Sequence, residues 1–296
     1  MKHFTTVVFG GLLLMFGAWA FIWIGGRIGA AVGAFNLTEN IQYAATQEEQ
    51  LVGSTLQDLS SRLTNGGVTA TTYLLKDLTT GVTVDAHDED RLVPIASLTK
   101  LVTAEVAREL IPSGTEIELS PAAIATYGDS GGLRSGESLS AGELMYPLLM
   151  VSSNDAAEAL ARSYGRPAFL KAMNGFVQRI GAYRTYFADA SGLSPQNEST
   201  ADDVALILSW LRQHDPDVLD ITLTKAKTIR MHTWINPTHF LSWSYYLGGK
   251  NGYTDEADRT GAALFTLGTK GEVYAIVILG SQDRDADMVR LISKVK

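Results

Sequence analysis

The 296-residue sequence predicts an α+β body with a helical insert, carried behind an apolar N-terminal segment. Three observations lead there. Strand-like patterns occur at both ends of the body, helical periodicities fill the middle, and the chain carries no charge from Phe4 to Gly26.

The uncharged segment comes first. At about 1.5 Å rise per residue, a helix of that length spans a bilayer core of roughly 30 Å. Lys2 and the α-amino group precede it, which predicts a cytoplasmic N-terminus and an extracytoplasmic body. Trp19, Phe21 and Trp23 sit toward the far end, as an interfacial belt would. Ala18-Trp19-Ala20 also fits a signal-peptidase site, but apolar residues continue through Ile24, which favours an uncleaved anchor. Residues 1–35 are thus read as an anchor or signal segment.

Residues 36–66 read as a helical stalk or linker, because Val52, Leu56, Leu59 and Leu63 form one stripe before Asn65-Gly66-Gly67. The body occupies residues 67–296. Val68 to Leu75 is a strand pattern, turned at Thr79-Thr80-Gly81 into a return strand from Val82 to Val84. After Pro94, the residues Leu98, Leu101, Val102, Val106 and Leu110 recur at helical spacing. Further helices are expected over Ala141–Met150, Asp155–Ser163, Phe169–Ile180 and Thr200–Gln213. Phe240–Leu247 and Gly261–Leu267 read as extended, Val273–Leu279 as a buried apolar run, and Asp285–Val295 as a closing helix.

Composition narrows the function classes. A net charge of −8 does not suit nucleic-acid binding. With no cysteine there is no disulfide or thiolate metal site, and the five histidines lack ligand spacing, so neither metal nor cofactor is expected.

Three short motifs carry chemistry: Ser97-Leu98-Thr99-Lys100, Ser152-Ser153-Asn154 and Lys250-Asn251-Gly252. A serine hydroxyl is a weak nucleophile until a base removes its proton, and lysine can be that base only when its surroundings favour the neutral amine. Lys100 follows Ser97 by one helical turn on the same face. Each motif also has an ordinary structural reading: capping serines for Ser97 and Ser152, solvated lysines for Lys100 and Lys250. Order and context favour the catalytic one. Ser-x-x-Lys recurs at Ser293–Lys296, where it is a helix end. Gly128-Asp129-Ser130-Gly131-Gly132 imitates a nucleophile elbow, but it leads into a polar loop rather than a helix.

These motifs resemble those of the serine-type D-Ala-D-Ala carboxypeptidases, the low-molecular-mass penicillin-binding proteins. The likeness extends to Pro94–Lys100, Ser152–Ala157, Asp189-Ala190-Ser191-Gly192-Leu193, Ser199-Thr200-Ala201 and Gly248–Ala257, and covers roughly residues 67–296. The resemblance implies a penicillin-binding-protein/serine β-lactamase-like fold: an antiparallel sheet with flanking helices and a helical subdomain. It makes 67–296 a transpeptidase-like catalytic domain in which Ser97 is acylated, Lys100 is its base, and Ser152 with Lys250 returns a proton to the leaving D-alanine. Asn154 binds the substrate amide. The N–H groups of Ser97 and Tyr253 form the oxyanion hole, and Asn251 and Gly252 line the strand that receives substrate. The implied partners are the peptidoglycan stem peptide and, as covalent inhibitors, β-lactams. Asn251 departs from the usual Thr or Ser. A D,D-endopeptidase and a silent penicillin-binding wall protein are the alternatives. A class A β-lactamase is disfavoured, because no Glu-x-x-Leu-Asn follows the second motif.

Overall fold

The computed structural model describes residues 67–128 and 131–295. The expected anchor, the stalk and Ser130 lie outside these residues. Among the described residues no helix is long and apolar enough to cross a membrane.

The chain opens with the hairpin of β1 (Thr72–Asp77) and β2 (Thr83–His87). A two-residue β3 (Val93–Pro94) leads through a 3₁₀ turn, Ala96–Leu98, into α1 (Thr99–Leu110). Then follow β4 (Glu116–Glu118), α2 (Pro121–Ile124), β5 (Ser138–Ser140), α3 (Ala141–Met150), α4 (Asn154–Tyr164) and α5 (Arg166–Ile180). β6 (Glu198–Ser199) pairs with β3 ahead of α6 (Ala201–His214) and α7 (Pro216–Thr222). The small hairpin of β7 (Ala226–Ile229) and β8 (His232–Ile235) precedes three long strands, β9 (Tyr246–Thr254), β10 (Asp258–Leu267) and β11 (Glu272–Ser281). Helix α8 (Arg284–Ser293) closes the chain.

The main sheet runs β2-β1-β11-β10-β9, and every neighbouring pair is antiparallel. Its side chains sort by alternation. Tyr73, Leu75, Phe265, Ile276 and Ile278 join Met288, Leu291 and Ile292 of α8 on one face. Leu74, Leu264, Ala275, Val277 and Leu279 join the helical core on the other. The apolar run in β11 is continuous because both of its faces are covered. β9 is one edge strand and β2 the other.

Helix α1 is the axis of the helical part. All nine residues from Thr99 to Ala107 are buried, so its burial extends well beyond the predicted stripe. The polar ones need partners. Thr99 Oγ1 donates to Ala96 O at 2.8 Å and Thr103 Oγ1 to Ala190 O at 2.6 Å.

The helix ends follow local chemistry. Ser140 and Glu143 form a reciprocal capping box at α3. Ser153 accepts from Ala156 N at 3.1 Å to cap α4, and Thr200 accepts from Asp203 N at 3.1 Å to cap α6. The expectation of a strand over Phe240–Leu247 is corrected. Residues His239–Ser242 form a 3₁₀ turn, and the strand starts at Tyr246 and continues through Gly248-Gly249. The aromatic run packs on itself instead, with Phe240 edge-on to Trp243 and to Phe265.

Candidate active site

Three elements meet at Ser97. The first is the turn that carries it. Ile95 N donates to Asn197 O at 3.0 Å, and the following Ala96 sits at φ +48°, a left-handed conformation that a non-glycine residue rarely adopts. Ser97 is half-buried and belongs to the 3₁₀ turn ahead of α1. It is not the helix cap, since no side chain caps either the turn or the helix. Lys100, the second residue of α1, is fully buried, and its Nζ lies 2.9 Å from Ser97 Oγ.

The same Nζ donates to Asn154 Oδ1 at 2.7 Å and to Ser191 O at 2.5 Å. A buried ammonium needs its donors satisfied, and these oxygens provide for it. The solvated-lysine reading of Lys100 is therefore excluded.

The second element is the α3–α4 junction. Ser152 adopts φ +61° where a helix usually ends on glycine, and Ser153 N reaches back to Pro147 O at 2.9 Å. The capping role falls to Ser153 and leaves Ser152, half-buried, free to line the cleft. Left-handed non-glycine residues on both sides of a reacting centre are the kind of stored strain that marks a working site. Asn154 opens α4, and its Nδ2 donates to Tyr127 O at 2.7 Å, which turns Oδ1 toward Lys100. Tyr127, Gly128 and Gly131 lie on this motif. A Cβ on Gly128 would come 2.8 Å from Asn154 Nδ2, and Trp234 Nε1 donates to Gly131 O at 2.7 Å.

The third element is β9. Lys250 is buried, and its Nζ donates to Asn251 O at 2.7 Å and lies 3.4 Å from Asn251 Oδ1. The carbonyl end of the Asn251 amide thus faces Lys250. Gly252 is glycine for a steric reason: a Cβ there would stand 2.7 Å from Ser97 N and 2.7 Å from Thr260 Oγ1. Thr260 Oγ1 in turn donates to Ile95 O at 3.1 Å and ties β10 to the turn that carries Ser97.

Ser97, Ser152, Asn154 and Tyr253 line one open cleft of about 490 Å³. Lys250 and Asn251 line a separate, tighter cavity with Thr222, Gly249 and Arg284. All three predicted motifs therefore lie about the turn at Ser97, but from the strand of the third it is Tyr253, directly after the motif, that lines the cleft.

Sequence reasoning gave no role to the loop after α5. Asp189 Oδ1 accepts from Ser191 N at 2.8 Å and Gly192 N at 2.6 Å, and Oδ2 from Ser194 N at 2.6 Å. Asn197 Nδ2 bonds Asp189 O at 2.9 Å and Thr99 Oγ1 at 3.0 Å. This nest fixes the Ser191 carbonyl on Lys100. Gly192, at φ +88°, packs so closely that a Cβ would lie 2.0 Å from Ala96 O. The Asp-Ala-Ser-Gly run was its only signal in the sequence.

The structure thus places Ser97 against Lys100 at the head of a buried helix, with Gly252 of β9 close against the serine amide. The sequence matches the D-alanyl-D-alanine carboxypeptidase family, peptidase S11, over residues 60–282. The chain belongs to that family. A D-alanyl-D-alanine endopeptidase of Pseudomonas aeruginosa is 32% identical over 236 residues, covering 74% of each chain. The D-alanyl-D-alanine carboxypeptidase DacA of Haemophilus influenzae is 28% identical over 239 residues, which are 75% of this chain but 60% of that one. Among solved structures, penicillin-binding protein D2 of Listeria monocytogenes in its cefotaxime-bound form superposes with a TM-score of 0.70 at 25% identity, covering 77% of this chain and 97% of that one. This peptidase S11 member has the penicillin-binding-protein-like fold, an antiparallel sheet flanked by helices.

Proposed function

We propose that the chain is a serine-type D-Ala-D-Ala carboxypeptidase that removes the terminal D-alanine of peptidoglycan stem peptides through an acyl-enzyme. The observation that carries this is the 2.9 Å contact of Lys100 Nζ with Ser97 Oγ at the floor of an open cleft. In this reading Lys100 takes the Ser97 proton as Oγ attacks the penultimate D-alanine carbonyl. The developing oxyanion receives the N–H groups of Ser97 and Tyr253, since the Gly252 backbone lies against the Ser97 amide. Asn154 holds the substrate amide. Ser152 and Lys250 return the proton to the departing D-alanine, and water then releases the acyl group. β-Lactams acylate Ser97 by the same path. Attachment to the cell membrane through residues 4–26, with the catalytic domain of residues 67–296 extracytoplasmic, completes the proposal and is supported by the uncharged N-terminal run.

A second reading has its own support. The Pseudomonas relative at 32% identity is named an endopeptidase, and Asn251 stands where the family usually presents a hydroxyl. Both substrates offer a D-alanine carbonyl to Ser97. They differ in the leaving side: free D-alanine with its carboxylate, or the amine of a cross-linked stem. Purified protein incubated with a D-Ala-D-Ala-ended pentapeptide and with a cross-linked stem-peptide dimer separates them. Release of D-alanine from the pentapeptide at the faster kcat/KM is expected. Cleavage of the dimer alone would replace the carboxypeptidase reading with the endopeptidase one.

A further inference from the structure

A second cavity, of about 710 Å³, lies among α1, α3, α6 and α7, and none of its lining residues lines the Ser97 cleft. That volume is within the range of small-molecule sites. Its charged lining is mostly acidic: Glu105 and Glu109 of α1, Asp215 between α6 and α7, and Asp217 of α7. Arg108 lines it too but is committed to the wall. Its Nε donates to Asp215 Oδ2 at 2.6 Å, and its Nη2 to Asp215 Oδ1 at 3.0 Å and to Asp217 Oδ2 at 2.6 Å. Glu109 is paired with Arg179 at 2.7 Å.

Glu105 is the group left over. It is 5% exposed, and its Oε2 has no hydrogen-bond partner. Burial, reinforced by the Asp215 carboxylate, pushes its carboxyl up to about 8. A buried carboxyl oxygen without a donor is costly, and two neighbouring carboxyl groups gain from any positive charge brought to them.

The backbone adds to that field. Ile111 caps the C-terminus of α1 and Asp215 that of α6, and both line the cavity. The partial negative charge of two helix ends therefore falls on it, which favours a cation. The N-terminal ends of α3 and α7 border it as well. However, Ala141 N and Gly142 N of α3 already donate to Thr115 O and Ser113 O, and α7 begins on Pro216 with Asp217 in its first turn. Among the described residues no three carboxylate or imidazole groups come together as a metal-ion set. The rest of the lining is apolar, chiefly Ile111, Met145, Tyr146 and Ile221.

We propose that this cavity is a binding site for a primary alkylammonium, with the –NH₃⁺ head at Glu105 and Asp215 and the aliphatic chain along Met145, Tyr146 and Ile221. The head brings three N–H donors and a full positive charge to carboxyl groups that lack them. The chain covers the apolar wall. The site makes no use of Ser97 and does not depend on the hydrolase reading.

The test measures binding to the full-length protein by calorimetry and by the shift in Tm. The probes are n-pentylamine, its neutral isostere 1-pentanol, Nα-acetyl-L-lysine methylamide, and ammonium and magnesium chlorides at matched ionic strength. Pentylamine should give a saturable rise in Tm and bind at least about ten-fold more tightly than pentanol, the size of one charge-assisted hydrogen bond. Glu105→Gln should lose about that factor, and Ile221→Trp, which fills the cavity from its apolar side, should abolish binding. If Glu105→Gln fails to fold, Ile221→Trp carries the test. The lysine derivative distinguishes the sources of the ammonium: binding as tight as pentylamine's supports a lysine side chain of a peptide, and weaker binding supports a free amine. Equal binding of pentylamine and pentanol overturns the site, and so does amine binding that survives in both variants. Stabilisation by either chloride that matches pentylamine's overturns it too, because it would reflect screening alone. No measurable binding of either amine also overturns it.

Discussion

The two walls of the cleft are built on different principles. The helix-side wall is a buried polar lattice. Lys100 is fully buried and reaches three oxygens within 2.9 Å, and each is fixed in turn: Asn154 by Tyr127 O, Ser191 by the Asp189 nest, Ser97 by a strained turn. The strand-side wall is a single edge strand that contributes backbone, one buried lysine and an exposed tyrosine. The first wall cannot change without leaving a buried donor or acceptor unpaired, which costs about 1–3 kcal/mol per group. In the second, Tyr253 is exposed, whereas Lys250 is buried and Asn251 partly so. The helix-side wall is thus the more rigid and the strand-side wall the more open.

That division fails or sharpens under substitution. The largest effect is expected at Lys100. Lys100→Arg keeps the charge but loses the base, since arginine's pKa exceeds about 12. Acylation should fall about 10²–10⁴-fold, measured as the second-order rate with labelled penicillin. A rate within a few-fold of wild type would make Lys100 structural and dissolve the distinction.

Next comes Gly192→Ala. The new methyl would meet Ala96 O at 2.0 Å from a backbone at φ +88°, so the nucleophile's turn has to move. A stability loss of about 1–3 kcal/mol by urea denaturation, with at least about ten-fold slower acylation, is expected.

The open wall should be more forgiving. Asn251→Thr is expected to match wild type or exceed it by up to about five-fold in kcat/KM on a carboxylate-ended peptide, because a hydroxyl donor replaces a longer amide at about 1 kcal/mol advantage. Asn251→Leu should fall well below both. If Asn251→Thr abolished turnover while the fold survived, the endopeptidase reading would move ahead.

The smallest effect on activity is expected at Glu105, a control for the claim that polar burial near Ser97 serves chemistry. It lies at the far half of α1, and its Oε2 has no hydrogen-bond partner. Burial, reinforced by the Asp215 carboxylate, pushes its carboxyl up to about 8. A folded-state value above the ordinary 4.5 means that its stabilising contribution is complete below about pH 4.5 and is lost as pH rises toward 8. Glu105→Gln should flatten thermal stability across that window and raise Tm at pH 8. Acylation should stay within about two-fold of wild type. A rate loss like that of Lys100→Arg would extend the catalytic lattice along the whole helix.

Much of this was legible in the sequence, for identifiable reasons. α3 was predicted from its helical pattern at its observed bounds, Ala141–Met150, and the Ser140–Glu143 capping box accounts for its start. The buried run Val273–Leu279 marked β11 because only a strand covered on both faces tolerates it. The three motifs were legible because chemistry fixes residue type and spacing together. What escaped was fixed by contacts across the fold. The extended reading stopped at Leu247, yet β9 continues through Gly248-Gly249, where a Cβ at Gly249 would stand 2.3 Å from Ala262 O of the neighbouring strand. Ser152 and Ser153 are indistinguishable as letters, and only the left-handed backbone at Ser152 separates the cleft residue from the cap. Ser191 acts through a carbonyl that every residue has, so no side-chain motif could reveal it.

The central claim is that the rigid wall delivers an activated Ser97. The most direct measurement is to label wild type, Ser97→Ala and Ser152→Ala with a radiolabelled or fluorescent penicillin and locate the adduct by peptide mass spectrometry. The account predicts one adduct, on Ser97, absent from Ser97→Ala and formed more slowly in Ser152→Ala. An adduct on any other serine, or one that persists in Ser97→Ala, would contradict it.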